Sequence, residues 1–357
     1  MSNSSRLYRY IDVLVRSRFG FGLPLTGMWN YAKYFVVPRR KRIVPASLAP
    51  VIVMLYTTYR CNLKCPFCSF TRERQPETPH FTATNSDMNL SFVQKILDSD
   101  IAKRTLVAVL TGGEPLLNKE IIDMVKFIKS RKKQCAMVSN GTLLRNRIVD
   151  LAKAGLDDIQ VSVYDATFEK LQSILPDVCS KFPYVNASYV LLKSVLREKP
   201  EHVKEVIRLC QESGCRSFKF NICVAPFDGE LAKEVIYDDD DAYNNFVNEY
   251  RSKFSGDFKI YFPPGAPRSI SADSANGCLI PWQQLSVLPN GKITMCCNPH
   301  RDNKESSGTI FDGDSDLSYN NEFLQALRGG LLDRGSVCHD ACERCVYRTG
   351  KAFGARI

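Results

Sequence analysis

No apolar run in this chain is long enough to cross a bilayer, which takes ~18–20 residues. The stretch from Ile43 to Tyr56 is too short and is interrupted by Pro45 and Pro50. The first residues, MSNSSRLYRY, carry arginines but lack the apolar centre of a secretory signal. There is no internal repeat and no low-complexity tract, which argues against solenoid and disordered-tail architectures. Beyond its first 50 residues the chain also has little net charge. Of the formal +10, +8 sits in residues 1–50, where nine basic residues (Arg6, Arg9, Arg16, Arg18, Lys33, Arg39, Arg40, Lys41, Arg42) face one acid, Asp12. The other 307 residues carry +2, so a nucleic-acid footprint across the whole fold is not expected.

Cysteine is abundant: fourteen in 357 residues. A disulfide-rich secreted protein would be small and would open with a signal peptide. Here the cysteines bunch at metal-ligand spacings, which points to a reducing, cytoplasmic setting with metal clusters. The basic arm has interleaved apolar residues, including Ile11, Val13, Leu14, Phe19, Trp29 and Phe35. It suits peripheral contact with an anionic membrane surface, an anionic substrate, or simple packing as a helix on the main body.

From about residue 51 the pattern alternates. Apolar, β-type runs lie at Val51–Thr57, Thr105–Thr111, Gln134–Ser139, Asp158–Tyr164, Asn186–Leu192 and Ser217–Cys223. Amphipathic stretches separate most of them, at Ile121–Lys132, Leu144–Ala154 and Val203–Ser213. Six strands alternating with helices predict an α/β fold with a parallel sheet, doubly wound or curled into a barrel. After Cys223 the character changes. Asp238–Asp241 reads as a solvated loop or helix start, and Tyr261–Pro267 as a linker. Trp282–Leu288 and Lys292–Cys296, joined by Pro289-Asn290-Gly291, predict a β-hairpin. The expected organisation is a basic extension over 1–50, a core barrel over 51–260 and a small cysteine-rich hairpin/helix domain over 261–357.

Cys61, Cys65 and Cys68 follow directly on the first strand. Barrel active sites gather at strand C-termini, so these thiols fall where chemistry is expected. Three thiolates on a four-iron cube leave one iron open, whereas an electron-transfer cluster normally has all four ligated. The second strand ends in Thr111-Gly112-Gly113-Glu114-Pro115. Two glycines permit close backbone approach, and a carboxylate beside them suits an ammonium group. Together the Cys-x-x-x-Cys-x-x-Cys and Gly-Gly-Glu-Pro segments resemble the radical S-adenosylmethionine (SAM) superfamily.

That resemblance implies a partial (β/α)6 barrel. In it, a [4Fe-4S] cluster cleaves SAM to a 5′-deoxyadenosyl radical, which abstracts hydrogen from a substrate. It places Cys61, Cys65 and Cys68 on the cluster, Phe67 beside the adenine, and Gly112, Gly113 and Glu114 at the methionine amine. Ser139, Asn140 and Ser162, at strand ends, either face the cofactor or serve as caps and turns. The C-terminal cysteines resemble the SPASM/Twitch extension of the same superfamily. Cys278, Cys296, Cys342 and Cys345 would hold an auxiliary [4Fe-4S] cluster, with Cys338 a rival ligand and a structural zinc site the alternative. Cys223, ending the sixth strand, is a candidate hydrogen donor to a substrate radical; the other cysteines read as buried filler.

Peptide-modifying members usually carry a further leader-binding domain. The expectation is therefore a small-molecule substrate (sugar-, nucleotide- or lipid-linked) undergoing oxidation, epimerisation or rearrangement. A flavodoxin- or ferredoxin-like protein would supply electrons. The alternatives are a peptide maturase and a non-catalytic iron–sulfur or zinc protein.

Overall fold

The structure, a computed structural model, describes residues 49–68, 87–223, 229–253, 258–266, 278, 280–294, 319–332 and 342. The basic arm lies outside them, as do Cys296, Cys297, Cys338 and Cys345. Among the described residues nine strands form one sheet: β1 Ile52–Thr58, β2 Val107–Gly112, β3 Gln134–Ser139, β4 Asp158–Ser162, β5 Tyr184–Leu191, β6 Ser217–Ile222, β7 Lys259–Tyr261, β8 Gln284–Val287 and β9 Ile293–Thr294. The helices are α1 Leu90–Leu97, α2 Ile121–Ser130, α3 Ile148–Ala154, α4 Phe168–Gln172, α5 Leu175–Lys181, α6 Lys193–Glu198, α7 Pro200–Glu212, α8 Asp241–Lys253, α9 Ile280–Gln283 and α10 Glu322–Leu332.

The sheet order is β7-β6-β5-β4-β3-β2-β1-β8-β9, and every neighbouring pair is parallel except β8–β9. The six expected strands are all present, consecutive and in register as a partial barrel. β1 is covered on both faces, every residue but Met54 being buried, whereas β3 and β6 alternate buried and half-buried residues. The helices show why they pack as they do. In α2 the buried side chains Ile121, Met124, Val125 and Ile128 recur at 3.6-residue spacing and form one stripe. At the start of α1, Asn89 accepts the Phe92 amide at 2.8 Å, satisfying an otherwise open N–H.

The structure revises three local readings. The stretch Tyr261–Pro267 is no free linker. Its first residue ends β7, which pairs with β6, and Ala266 bridges to Tyr237. The acidic run starts α8, and Asp240 is buried rather than solvated. Its carboxylate accepts the Tyr243 amide at 3.2 Å and pairs with Lys193 at 3.4 Å and Arg197 at 3.6 Å. Trp282 lies in the short helix α9 rather than on a hairpin strand.

The hairpin also extends the barrel sheet. β8 runs parallel to β1, with Ile52 opposite Gln284 and Leu55 opposite Val287. The open edge of β1 has a row of backbone donors and acceptors, and the C-terminal segment satisfies them. Among the described residues no helix is long and apolar enough to cross a membrane.

Candidate active site

The cysteine loop leaves the C-terminal end of β1, and its path is pinned on both sides. Arg60 donates from Nε to Asp87 at 3.0 Å, makes a second, shorter contact with the other carboxylate oxygen, and reaches the Leu117 carbonyl at 2.8 Å. Thr58 adds its hydroxyl to the same Asp87 at 2.6 Å. From the other side, the amides of Gly113 and Glu114 donate to the carbonyls of Thr58 and Arg60, both at 2.8 Å.

This contact explains the paired glycines. A Cβ on Gly112 would stand 2.4 Å from the Thr58 carbonyl oxygen, and one on Gly113 only 2.1 Å from that of Arg60. Gly112 also has φ +135°, which side-chain-bearing residues rarely adopt. The paired glycines let β2 approach the chain entering the cysteine loop.

Glu114 is fully buried, and its carboxylate is held by three donors. The Ser139 hydroxyl reaches Oε1 at 2.8 Å, the Asn140 amide Oε2 at 2.8 Å, and the Leu116 amide Oε1 at 3.2 Å. Burial pushes the carboxyl up to about 7, against the opposing pull of those hydrogen bonds. With two bonds on Oε1 and one on Oε2, acceptor capacity remains on Oε2 for a cationic group.

Asn140 then ties β3 back to the cysteine loop. Its Oδ1 accepts the Thr142 amide at 3.0 Å, which is a turn role. Its Nδ2 donates to Asn62 Oδ1 at 2.9 Å and stands 3.8 Å from Cys61 Sγ. Asn62 closes the ring by donating to Thr142 at 2.7 Å. Ser139 supports the same turn by accepting the Gly141 amide at 3.0 Å. Ser139 and Asn140 are thus turn residues, and both also bond to Glu114 at the end of β2.

Cys61, Cys65 and Cys68 are half-buried on one short loop, tightened by the Cys68 amide donating to the Cys65 carbonyl at 3.1 Å. The Leu63 amide points at Cys61 Sγ at 3.4 Å, so this sulfur has donors suited to a thiolate. Among the described residues no three Cys, His, Asp or Glu side chains converge on a site for a single ion.

Phe67 packs edge-on against Tyr164, ring centroids 5.0 Å apart. Burial first, and then the neighbouring Cys65, Cys68 and Cys61, hold the Tyr164 hydroxyl far above its usual range. Ser162, buried two residues earlier, has its hydroxyl 3.5 Å from that of Ser188. Cys223 is buried directly after β6, at the same end of the sheet. Of the auxiliary candidates, Cys278 and Cys342 are both half-buried against the main core; Cys296, Cys338 and Cys345 fall outside the described residues.

Sequence reasoning missed Arg60–Asp87, Asn62 and Tyr164. Asp87 lies 27 positions from Arg60, and no local pattern joins them. Tyr164 had a signal, since it sits two residues beyond Ser162 on the strand-end segment VSVYD.

The family model for the Radical SAM superfamily matches residues 55–235, and that for the SPASM iron-sulfur cluster-binding domain matches 278–346. The antilisterial bacteriocin subtilosin biosynthesis protein AlbA of Bacillus subtilis is 20% identical over 84% of this chain and 65% of its own length. The PqqA peptide cyclase of Rhizobium meliloti is 22% identical over 71% of this chain and 69% of its own. This chain therefore spans about two thirds of these curated relatives. Streptococcus suis SuiB, in structures bound to S-adenosylmethionine and to its precursor peptide SuiA, superposes with TM-scores of 0.62 and 0.60 at 16% and 17% identity. Those superpositions cover 92% and 96% of this chain and 79% and 83% of SuiB. The match across half the chain, on a partial barrel with its cysteine loop at the strand ends, makes this protein a member of the radical SAM superfamily with a SPASM iron–sulfur domain, an enzyme class that uses SAM and [4Fe-4S] clusters.

Proposed function

We propose that this enzyme modifies a ribosomally made peptide, forming a new bond within it or oxidising one of its residues. The observation that carries this is the likeness to a bacteriocin biosynthesis protein over 84% of this chain and to a peptide cyclase over 71% of it. It outweighs the expectation of a small-molecule substrate, which rested on the short stretch before the barrel.

In this reading Cys61, Cys65 and Cys68 hold the SAM-binding cluster, and Cys278, Cys296, Cys342 and Cys345, with Cys338 as rival, hold an auxiliary one. Bound there, the first cluster would supply the one-electron reduction of SAM that starts hydrogen abstraction from the substrate. The chain's own residues position the parts. Gly112, Gly113 and Glu114 would hold the methionine amine, Glu114 through the remaining acceptor capacity of its carboxylate. Phe67 would lie beside the adenine, Ser139 and Asn140 would face the cofactor, and Ser162 would contact its ribose or carboxylate. Cys223 stands at the barrel mouth, where a thiol can return a hydrogen atom. A flavodoxin- or ferredoxin-type protein delivers the electron.

The test is anaerobic incubation of the reconstituted enzyme with SAM, a reductant and any short peptide encoded near its gene. Formation of 5′-deoxyadenosine together with a loss of about 2 Da from the peptide supports the proposal. Deoxyadenosine formed while the peptide stays unchanged, with turnover instead of a sugar or nucleotide, returns the small-molecule reading.

A further inference from the structure

Three cysteines outside the active site meet at the opposite end of the sheet. Helix α7 ends in a Schellman turn: Gly214 takes φ +92°, its amide donates to the Gln211 carbonyl at 3.1 Å, and the Cys215 amide donates to the Cys210 carbonyl at 3.0 Å. That closure brings the Cys210 side chain near that of Cys215. Cys179 arrives from the last turn of α5 and packs over the glycine, its Cβ 3.6 Å from the place a Gly214 Cβ would occupy. The Sγ atoms of Cys179 and Cys215 stand 3.7 Å apart. Cys215 lies two residues before β6 begins, whereas the cysteine loop lies beyond the end of β1. In a parallel sheet these are opposite ends, so the cluster sits at the base of the barrel.

We infer that Cys179 and Cys215 are a disulfide-forming pair, a modification site at the base of the barrel that reacts with low-molecular-weight disulfides. Cys179 is half-buried while Cys210 and Cys215 are buried, so a reagent meets Cys179 first. Its thiolate attacks one sulfur of the reagent, forming a mixed disulfide and expelling one reagent thiolate. Cys215 then attacks the Cys179 sulfur, forms the Cys179–Cys215 bond and expels the second. Two electrons pass to the reagent, and the two protein thiol protons leave with its thiols. The product ties α5 to the lead-in of β6. The hydrogen bond to Cys215, and then burial, push the Cys179 thiol well above its ordinary range, so the exchange quickens with alkalinity.

Oxidised glutathione is added anaerobically to the reconstituted full-length protein, which is then alkylated, digested with trypsin and read by mass spectrometry without reduction. The expected product links peptide Leu171–Lys181 to peptide Leu209–Arg216. Because the second peptide holds both Cys210 and Cys215, the variants Cys210→Ser, Cys215→Ser and Cys179→Ser decide the partner. The link should form in the unsubstituted protein and in Cys210→Ser, vanish in the other two, and form roughly tenfold faster per pH unit above neutrality, as the thiolate fraction rises. Iron content should be unchanged. A link that persists in Cys215→Ser, that appears only after unfolding, or that stops at a glutathione adduct on Cys179 overturns the inference.

Discussion

The hydroxyl of Ser139 donates to the carboxylate of Glu114 at 2.8 Å, and this bond joins the end of β3 to the end of β2 beneath the cysteine loop. The Asn140 amide, at 2.8 Å, makes the same connection through the backbone. The Gly-Gly-Glu segment is therefore a structural tie between three strand ends as well as a candidate cofactor contact.

The buried Glu114 makes stability depend on pH. Its carboxyl sits at about 7 in the folded chain against an ordinary 4.5. Between those values the folded state holds a proton that the unfolded state has released, so stability falls as pH rises from about 4.5 to 7 and stays at the lower level above. The full effect is on the order of 3 kcal/mol. Urea unfolding of the cluster-free protein at pH 5 and pH 8 should show it, and Glu114→Gln should flatten that difference. An equal pH slope in the variant would assign the effect elsewhere.

Gly113→Ala places a methyl group against the Arg60 carbonyl, where no flexible side chain can give way. The β1 exit or the β2 end must shift, at a cost of about 2 kcal/mol or more. Iron bound per chain after anaerobic reconstitution should drop, because the displaced backbone leads into Cys61. Full loading with unchanged stability would show that the close approach is dispensable.

Asn140→Ala removes the side-chain donor near Cys61 Sγ and the tie to Asn62. Hydrogen bonds to cluster sulfurs favour the reduced state. The SAM-binding cluster should become harder to reduce by roughly 50 mV, the equivalent of about 1 kcal/mol. A redox titration followed by electron paramagnetic resonance measures this directly, apart from any turnover.

Arg328 anchors α10. It is fully buried, donates from Nε and NH2 to the Pro281 carbonyl at 3.0 and 2.8 Å, donates to Asn320 at 2.8 Å and lies 4.4 Å over the Tyr319 ring. Replacing it by Met strips the carbonyl of two donors and loses the cation–π contact, a cost of about 2–4 kcal/mol. Chemical denaturation should register the loss. Because α9 begins two residues after Cys278, auxiliary-cluster iron should fall in the same variant while SAM-cluster iron holds.

The sequence by itself determined the alternation of strands and helices, because a sheet covered on its faces demands apolar stretches such as Ile52–Tyr56 and the helices demand a 3.6-residue stripe. It also determined where the three thiols fall, since three cysteines within eight residues just past a strand need no distant partner to be noticed. Tertiary structure decided the rest. Asp87 clamps Arg60, Asn140 reaches Cys61, and Gly113 rests on Arg60 across separations of 27 to 79 residues, where no periodicity carries information. Likewise β8 pairs with β1 across the boundary expected near residue 260, because an open sheet edge recruits whichever strand the fold delivers. Cys179 and Cys215 looked like inert filler in sequence; a left-handed glycine at the end of α7 and the neighbouring end of α5 bring their sulfurs together.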